Sequence, residues 1–264
     1  MGWLEVFVLS VVQGITEFLP VSSSAHLVFI PKLFGWSDQG IAFDVATHLG
    51  TLFAVLIYFK KEIVTIVIDW FKSLKYRKNV GESHLAWAII VATIPAGLAG
   101  LLFGNLIETY LRSPFVIAFT TIVFGVALYF ADRQNGEKNE TNITLYIALL
   151  IGLAQALAVI PGVSRSGITL TIALFLGFSR VSGARFSFLL SIPIILLASG
   201  YEGLKLIQST DVVEWSKILG AVFLSFVSGY LCIYGFLAII QKFSMLPFVI
   251  YRLFLGVVLL WFFW

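Results

Sequence analysis

Two short stretches carry side chains that can handle phosphate. The first is Gln13 to His26, QGITEFLPVSSSAH, where Glu17, Ser22, Ser23, Ser24 and His26 interrupt sequence that is otherwise apolar enough for a membrane. The second is Gln155 to Thr169, QALAVIPGVSRSGIT, which contains Ser164, Arg165 and Ser166. They share a spacing: Gln13, Val21, Ser22 and Ser24 recur as Gln155, Val163, Ser164 and Ser166. Each stretch is an apolar run that breaks at a proline, Pro20 or Pro161, and resumes through serines. Apolar segments broken at matching points of two halves point to a substrate site between them.

A helix that starts inside a membrane leaves its first N–H groups without intrahelical partners. The helix dipole adds partial positive charge there, which makes an anion site. Two such starts are expected, at Ser22–His26 and Ser164–Gly167. The serines suit them as caps and as hydroxyl donors, and Arg165 adds a planar cationic fork matched to phosphate oxygens. Ser22, Ser24, Ser164, Arg165 and Ser166 are therefore the expected anion-binding set. Glu17 repels an anion unless a cation or a proton intervenes. Mg²⁺ is held by one or two carboxylates together with substrate phosphates, so Glu17 is read as a metal ligand or a general base. Gln13 lies four residues earlier on the same helix face, and its amide oxygen is a weaker second ligand. His26 lies about one turn after Ser22 and Ser23, within reach of acid–base work.

Plainer readings stand beside these. Serines pack membrane helices, a Glu17–Arg165 pair could simply join two helices, and His26 could bond a carbonyl. Asp44 and His48 read as structural or rim residues. Arg180 and Arg185 read as snorkelling anchors of a helix end. Arg252, early in the last span, is assigned to lipid headgroups or to the second hairpin, with a role at the active site as the lesser alternative.

These residues need a scaffold, and the composition specifies its class. The chain has 264 residues, of which 59% are hydrophobic and 12% charged, with mean hydropathy +0.99. That is a multi-pass membrane protein. A net charge of +3 does not suggest nucleic acid as a partner. The single cysteine, Cys232, excludes an intrachain disulfide and a Cys-based metal site. No phosphate-binding P-loop and no H-E-x-x-H zinc helix occurs.

Trp3 to Leu19 with Ala25 to Phe34, and Ile143 to Ile160 with Gly167 to Leu176, read as two re-entrant helical hairpins. Full spans are expected at Phe43–Phe59, Leu85–Phe103, Pro114–Phe130, Phe186–Ala198, Ile218–Ile240 and Pro247–Trp264. Trp261 and Trp264 read as an interfacial belt. Residues 132–142, DRQNGEKNETN, form a polar linker between a first repeat, 1–131, and a second, 143–264. The repeat is supported by Pro114–Ile117 recurring as Pro247–Ile250. The expected fold is thus an all-α integral membrane protein built as an inverted repeat, each half one re-entrant hairpin plus three transmembrane helices. An odd number of spans per half inverts the second half. Lys60–Ser83 reads as the most basic loop, which the positive-inside rule places in the cytoplasm. Both termini then lie outside, and the first hairpin enters from that side.

At these residues the sequence resembles the bacitracin-resistance family of undecaprenyl-diphosphate phosphatases. The family's first motif reads roughly E-G-x-T-E-F-L-P-V-S-S-[ST]-[GA]-H, matched by Gln13–His26, and the second P-G-x-S-R-S-G, matched by Pro161–Gly167. The likeness extends through FDVATHLGT, RFSFLLSIP and LPFVIYR. The resemblance implies an inner- or plasma-membrane enzyme that removes the terminal phosphate of a polyprenyl diphosphate lipid. That reaction recycles the carrier of cell-wall synthesis, with Mg²⁺ or Ca²⁺ as cofactor. It also implies that Glu17, Ser23 and His26 form the catalytic cluster and Ser164, Arg165 and Ser166 the phosphate clamp. With the first hairpin entering from outside, the active site is expected to face the extracytoplasmic side. Position 13 departs from the pattern, with glutamine in place of glutamate. The alternative function is a polyprenyl-phosphate transporter or flippase, because broken helices in inverted repeats are also transporter architecture. The sequence says nothing of oligomeric state.

Overall fold

The computed structural model describes residues 1–134, 136–208 and 214–263. Among them the chain forms eleven α-helices. In hydrocarbon every backbone N–H and C=O must be satisfied within the segment, and a helix does that. The first half contains α1 (Trp3–Phe18), α2 (Ser23–Phe34), α3 (Gly40–Tyr58), α4 (Lys60–Tyr76), α5 (Ser83–Tyr110) and α6 (Pro114–Asp132). The second contains α7 (Leu145–Ala156), a single 3-10 turn at Leu157–Val159, α8 (Arg165–Phe175), α9 (Arg180–Gln208), α10 (Trp215–Ile240) and α11 (Leu246–Phe263). Six helices are long and apolar enough to cross a membrane, namely α3, α5, α6, α9, α10 and α11. They are the spans expected from the sequence. In each half a short broken pair, α1–α2 or α7–α8, precedes three of them. Trp261 is highly exposed at the end of α11, while Trp264 lies outside the described residues.

Residues 60–83 correct an expectation, since most of this stretch is the helix α4 and not a loop. Val64, Val67, Ile68 and Phe71 are exposed on it, while Ile66, Asp69 and Ser73 face inward. An apolar exposed stripe beside lysines suits a helix lying in a membrane interface. Asp69 holds the following turn. It accepts the Glu82 backbone N–H at 3.1 Å and Lys72 Nζ at 3.1 Å, which keeps its carboxyl below the usual carboxylate range. The turn needs glycine at 81, where φ is +47° and a Cβ would lie 2.2 Å from Asp69 Oδ2.

Close backbone approach assembles the bundle. A Cβ on Gly14 of α1 would lie 2.7 Å from the Ser225 carbonyl oxygen, and one on Gly50 of α3 would lie 2.4 Å from that of Val222. Helices α1 and α3 therefore press directly on α10, as small residues permit in membranes. In the other half, a Cβ on Gly152 of α7 would lie 2.5 Å from the Ala92 carbonyl oxygen of α5. Both hairpins are thus mounted on a long helix of the opposite half. Helices α6 and α11 also pack together, with Gly256 against Ile122.

Ion pairs close the α4 end of the bundle. Arg185 binds Glu62 at 2.8 Å and Glu140 at 2.7 Å, joining α9 to α4 and to the linker. Arg180 Nε donates to Asp132 Oδ1 at 2.5 Å, and Asp132 Oδ2 accepts the Met245 N–H at 2.9 Å. The expected snorkelling of Arg180 and Arg185 is corrected: both find carboxylates within the protein.

Candidate active site at the two hairpin tips

The tips of the two hairpins meet. Helix α1 ends at Phe18 and α2 begins at Ser23, so Leu19–Ser22 forms the first tip. The second runs from Ile160 to Ser164, before α8. They clasp reciprocally: the Gly162 N–H donates to Ser24 Oγ at 3.2 Å, and Ser166 Oγ donates to the Leu19 carbonyl at 2.9 Å. Ser164 caps α8 by accepting the Gly167 N–H at 3.2 Å. Ser22 does not cap α2; its hydroxyl lies 3.1 Å from that of Ser24. Gly162 has no substitute, since φ is +91° and a Cβ would lie 2.5 Å from the Ile117 carbonyl oxygen.

Glu17 sits where the tips join and is 8% exposed. Its Oε1 accepts Arg165 Nη2 at 3.0 Å, and its Oε2 accepts Ser23 Oγ at 3.1 Å and Gln13 Nε2 at 3.0 Å. Arg165 Nη1 donates at the same time to the Ser187 carbonyl at 3.0 Å, so α9 aims the guanidinium. One carboxylate therefore gathers the cation of one tip and a hydroxyl of the other. His48 Nε2 lies 3.9 Å from Glu17 Oε2, which brings α3 to the site. The rim reading of His48 is too modest.

His26 faces elsewhere. Its Nδ1 lies 2.7 Å from the Ser22 carbonyl oxygen and its Nε2 2.5 Å from the Tyr251 hydroxyl, with the rings stacked. A carbonyl only accepts, so Nδ1 carries a proton and donates to it, while Nε2 pairs with the Tyr251 hydroxyl. His26 thus ties the start of α2 to α11 and has no contact with Glu17. This is the plainer carbonyl-bonding reading, with a tyrosine partner that sequence spacing could not reveal.

The largest surprise is Arg252 of α11, which is 0% exposed. Its Nε donates to the Thr121 carbonyl at 3.0 Å and its Nη1 to that of Pro20 at 3.3 Å. Its Nη2 donates to the carbonyls of Gly162 and Val163 at 3.0 and 3.1 Å. One guanidinium thus bonds both tips and α6. Assignment to lipid headgroups is excluded, and assignment to the second hairpin tells half the story. The available signal was an arginine inside an apolar span, costly unless its donors are all used.

A divalent cation can be weighed against these side chains. Among the described residues no three His, Cys, Asp or Glu side chains cluster. Gln13 turns its amide nitrogen, not its oxygen, toward Glu17. Its Oε1 is buried without a hydrogen-bond partner. Turning the Gln13 amide over would bring that orphaned oxygen to Glu17, and the pair would then fit an ion whose remaining ligands come with a phosphate.

Ser23 and Ser24 open into a cavity of about 310 Å³ that is also lined by Lys32, Asp44, His48 and Arg112. Cations thus stand at the approach to the serines. Helix α3, 19 residues or about 28 Å long, runs from this rim to α4.

Six apolar spans around two broken hairpins, with an ionised cluster buried at their meeting point, define a multi-pass membrane protein with an internal polar site. The family model described as bacitracin resistance protein BacA matches residues 6–258, and the chain belongs to that family. It is 60% identical to the undecaprenyl-diphosphatase of Campylobacter curvus over the whole of both chains. It is 59% identical to that of Campylobacter concisus over 98% of each, and 58% identical to that of Saccharophagus degradans over 99% of this chain and all of that one.

Proposed function

We propose that this protein removes the terminal phosphate of undecaprenyl diphosphate, leaving the monophosphate lipid. One observation carries the reading: Glu17 is bonded to Ser23 of one tip and Arg165 of the other. A hydroxyl beside a carboxylate is a nucleophile beside its base. Ser23 Oγ attacks the terminal phosphorus as its proton passes to Glu17. The bond from that phosphorus to the bridging oxygen breaks, and the lipid monophosphate leaves. Water then attacks the phosphoserine, both of its protons leave with the phosphate as dihydrogen phosphate, and Glu17 returns its proton to Ser23 Oγ as the bond from Oγ to phosphorus breaks. Arg165 and the N–H groups opening α2 and α8 stabilise charge on the phosphoryl oxygens. Ser22, Ser24, Ser164 and Ser166 hold the tips in register around it. His26 positions α2 through the Ser22 carbonyl.

Mg²⁺ or Ca²⁺ would be held by Glu17 and Gln13, and would neutralise diphosphate charge when bound. The site faces the extracytoplasmic side. Support comes from the cavity, whose rim at Trp36–Gln39 and Arg112 is separated by the length of α3 from the lysine-rich α4. The two halves are inverted repeats, a reading supported by their matching element order and by each hairpin seating on a long helix of the other half.

The test is phosphate release by purified protein in detergent from undecaprenyl diphosphate labelled in its terminal phosphate. Acid quenching of the wild type should trap label on Ser23, and Glu17→Gln should lower turnover by ~10²-fold or more. Release of intact diphosphate, or none, rejects the reading. Release of neither product would leave a lipid carrier in its place.

A further inference from the structure

The polar cavity at Ser23 is the first of three that run into one another. It shares Asp44, His48, Arg112 and Pro161 with a second chamber of about 390 Å³. That chamber shares Ile107, Val159 and Ala198 with a third space of about 380 Å³ between α5 and α9. The character changes along the path. The first two spaces carry charged side chains throughout, whereas the third holds its charges, Glu202 and Lys205, only where it meets the middle chamber and is otherwise walled mainly by Gly97, Gly100, Leu101 and Leu197. Its width comes from α5, since a Cβ on Gly100 or Gly104 would meet nothing within 4 Å. The middle chamber holds a second sign of a ligand. Ser199 is 8% exposed and its buried hydroxyl has no hydrogen-bond partner.

From this continuity we infer that the groove between α5 and α9 binds the isoprenoid chain of the substrate, from its first few units outward, while the diphosphate reaches back past Arg112 to Ser23. An unbroken hydrocarbon chain ending in a diphosphate needs a path of this polarity, apolar at one end and charged, with Arg112 and Lys32 among the lining, at the other. Glycines on α5 give an unbranched floor against which a methyl-branched chain can lie, and Ala198 and Leu197 of α9 supply the facing wall. The inference rests on the phosphatase reading for the identity of the ligand. It adds which helices read the tail.

The test uses substrates that share a headgroup and differ in tail. Gly100→Leu and Gly104→Leu place a side chain in the groove from positions where an added Cβ meets nothing within 4 Å. Each should lower kcat/KM for undecaprenyl diphosphate by roughly tenfold or more, through KM, because displaced tail methylenes lose their burial. The value for dimethylallyl diphosphate, with a single isoprene unit, should stay unchanged. Equal losses on both substrates, or no loss on either, overturn the groove. A measurement on the wild type is independent of any variant's folding: a polyprenyl diphosphate with a diazirine in its first isoprene units should crosslink to peptides of α5 and α9. Crosslinks confined to other helices overturn the inference. If the wild type releases no phosphate from either substrate, the phosphatase reading fails, and the crosslinks still decide where the tail lies.

Discussion

Ser22 and Ser164 hold nearly the same backbone conformation, φ 71° and ψ 96° in one, φ 70° and ψ 110° in the other. Each is the residue from which the second helix of its hairpin starts. A positive φ at a non-glycine residue costs of order 1–3 kcal/mol and persists only where surrounding bonds enforce it. Here the clasp between the tips and the Arg252 donors enforce it. The return is a tip whose next N–H groups point inward at the site.

That conformation makes a stability prediction. Ser164→Gly should unfold at a higher temperature in detergent, by the equivalent of ~1 kcal/mol, because glycine relieves the strain and a glycine cap loses only a few tenths. Ser164→Val should be destabilised by more than ~1 kcal/mol, since a β-branched residue at this φ is a steric outlier. Equal melting temperatures for the two variants would show that the strain is not there.

Arg165 should be irreplaceable by lysine. Its fork serves Glu17 and the Ser187 carbonyl at once, and a single ammonium cannot match that planar geometry. Arg165→Ala is expected to lower turnover by ~10²-fold or more, and Arg165→Lys to recover only a small part of it. Near-normal phosphate release by a folded Arg165→Ala protein would reduce Arg165 to a helix tie.

Replacing Arg252 should cost stability before it costs chemistry. Arg252→Met leaves the carbonyls of Pro20, Thr121, Gly162 and Val163 without these donors, at ~1–3 kcal/mol for each that finds no other. A loss of at least ~3 kcal/mol is expected in unfolding measurements, with phosphate release falling in step. A variant as stable as wild type but inactive would instead place Arg252 among the groups that touch substrate.

Gln13→Glu should make stability depend on a divalent cation. The substitution exchanges a donor 3.0 Å from Glu17 for a second carboxylate. Two carboxylates so close need a cation or a proton between them. Added Mg²⁺ should raise the melting temperature of the variant more than that of wild type. It should also lower by roughly tenfold the Mg²⁺ concentration for half-maximal phosphate release, the equivalent of ~1.4 kcal/mol. Identical Mg²⁺ titrations would mean that position 13 does not face the ion.

Much of the site was legible in the sequence because ionisable residues are expensive in apolar sequence. Glu17 and Arg165 stood out for that reason, and the repeated serine spacing linked them. The hairpins could be read because a proline breaks each apolar run where it is too short to span. The Tyr251 partner of His26 was not legible, because i to i+4 spacing says which face a side chain occupies and nothing of what α11 brings to that face. His48 and the Ser187 carbonyl reach Glu17 and Arg165 through packing between distant helices, which no local pattern records. Helix α4 was legible and missed. Val64, Val67, Ile68 and Phe71 repeat at three- and four-residue intervals, but the lysines around them dominated the reading.

Arg252 also sets an order of events in biogenesis. It bonds both hairpin tips from α11, a helix that leaves the ribosome after either hairpin has been made. Until α11 inserts, the carbonyls of Pro20, Gly162 and Val163 lack these donors, and the tips have no common anchor. A nascent chain stalled before α11 is therefore expected to lack the last tie that holds both tips and to release no phosphate.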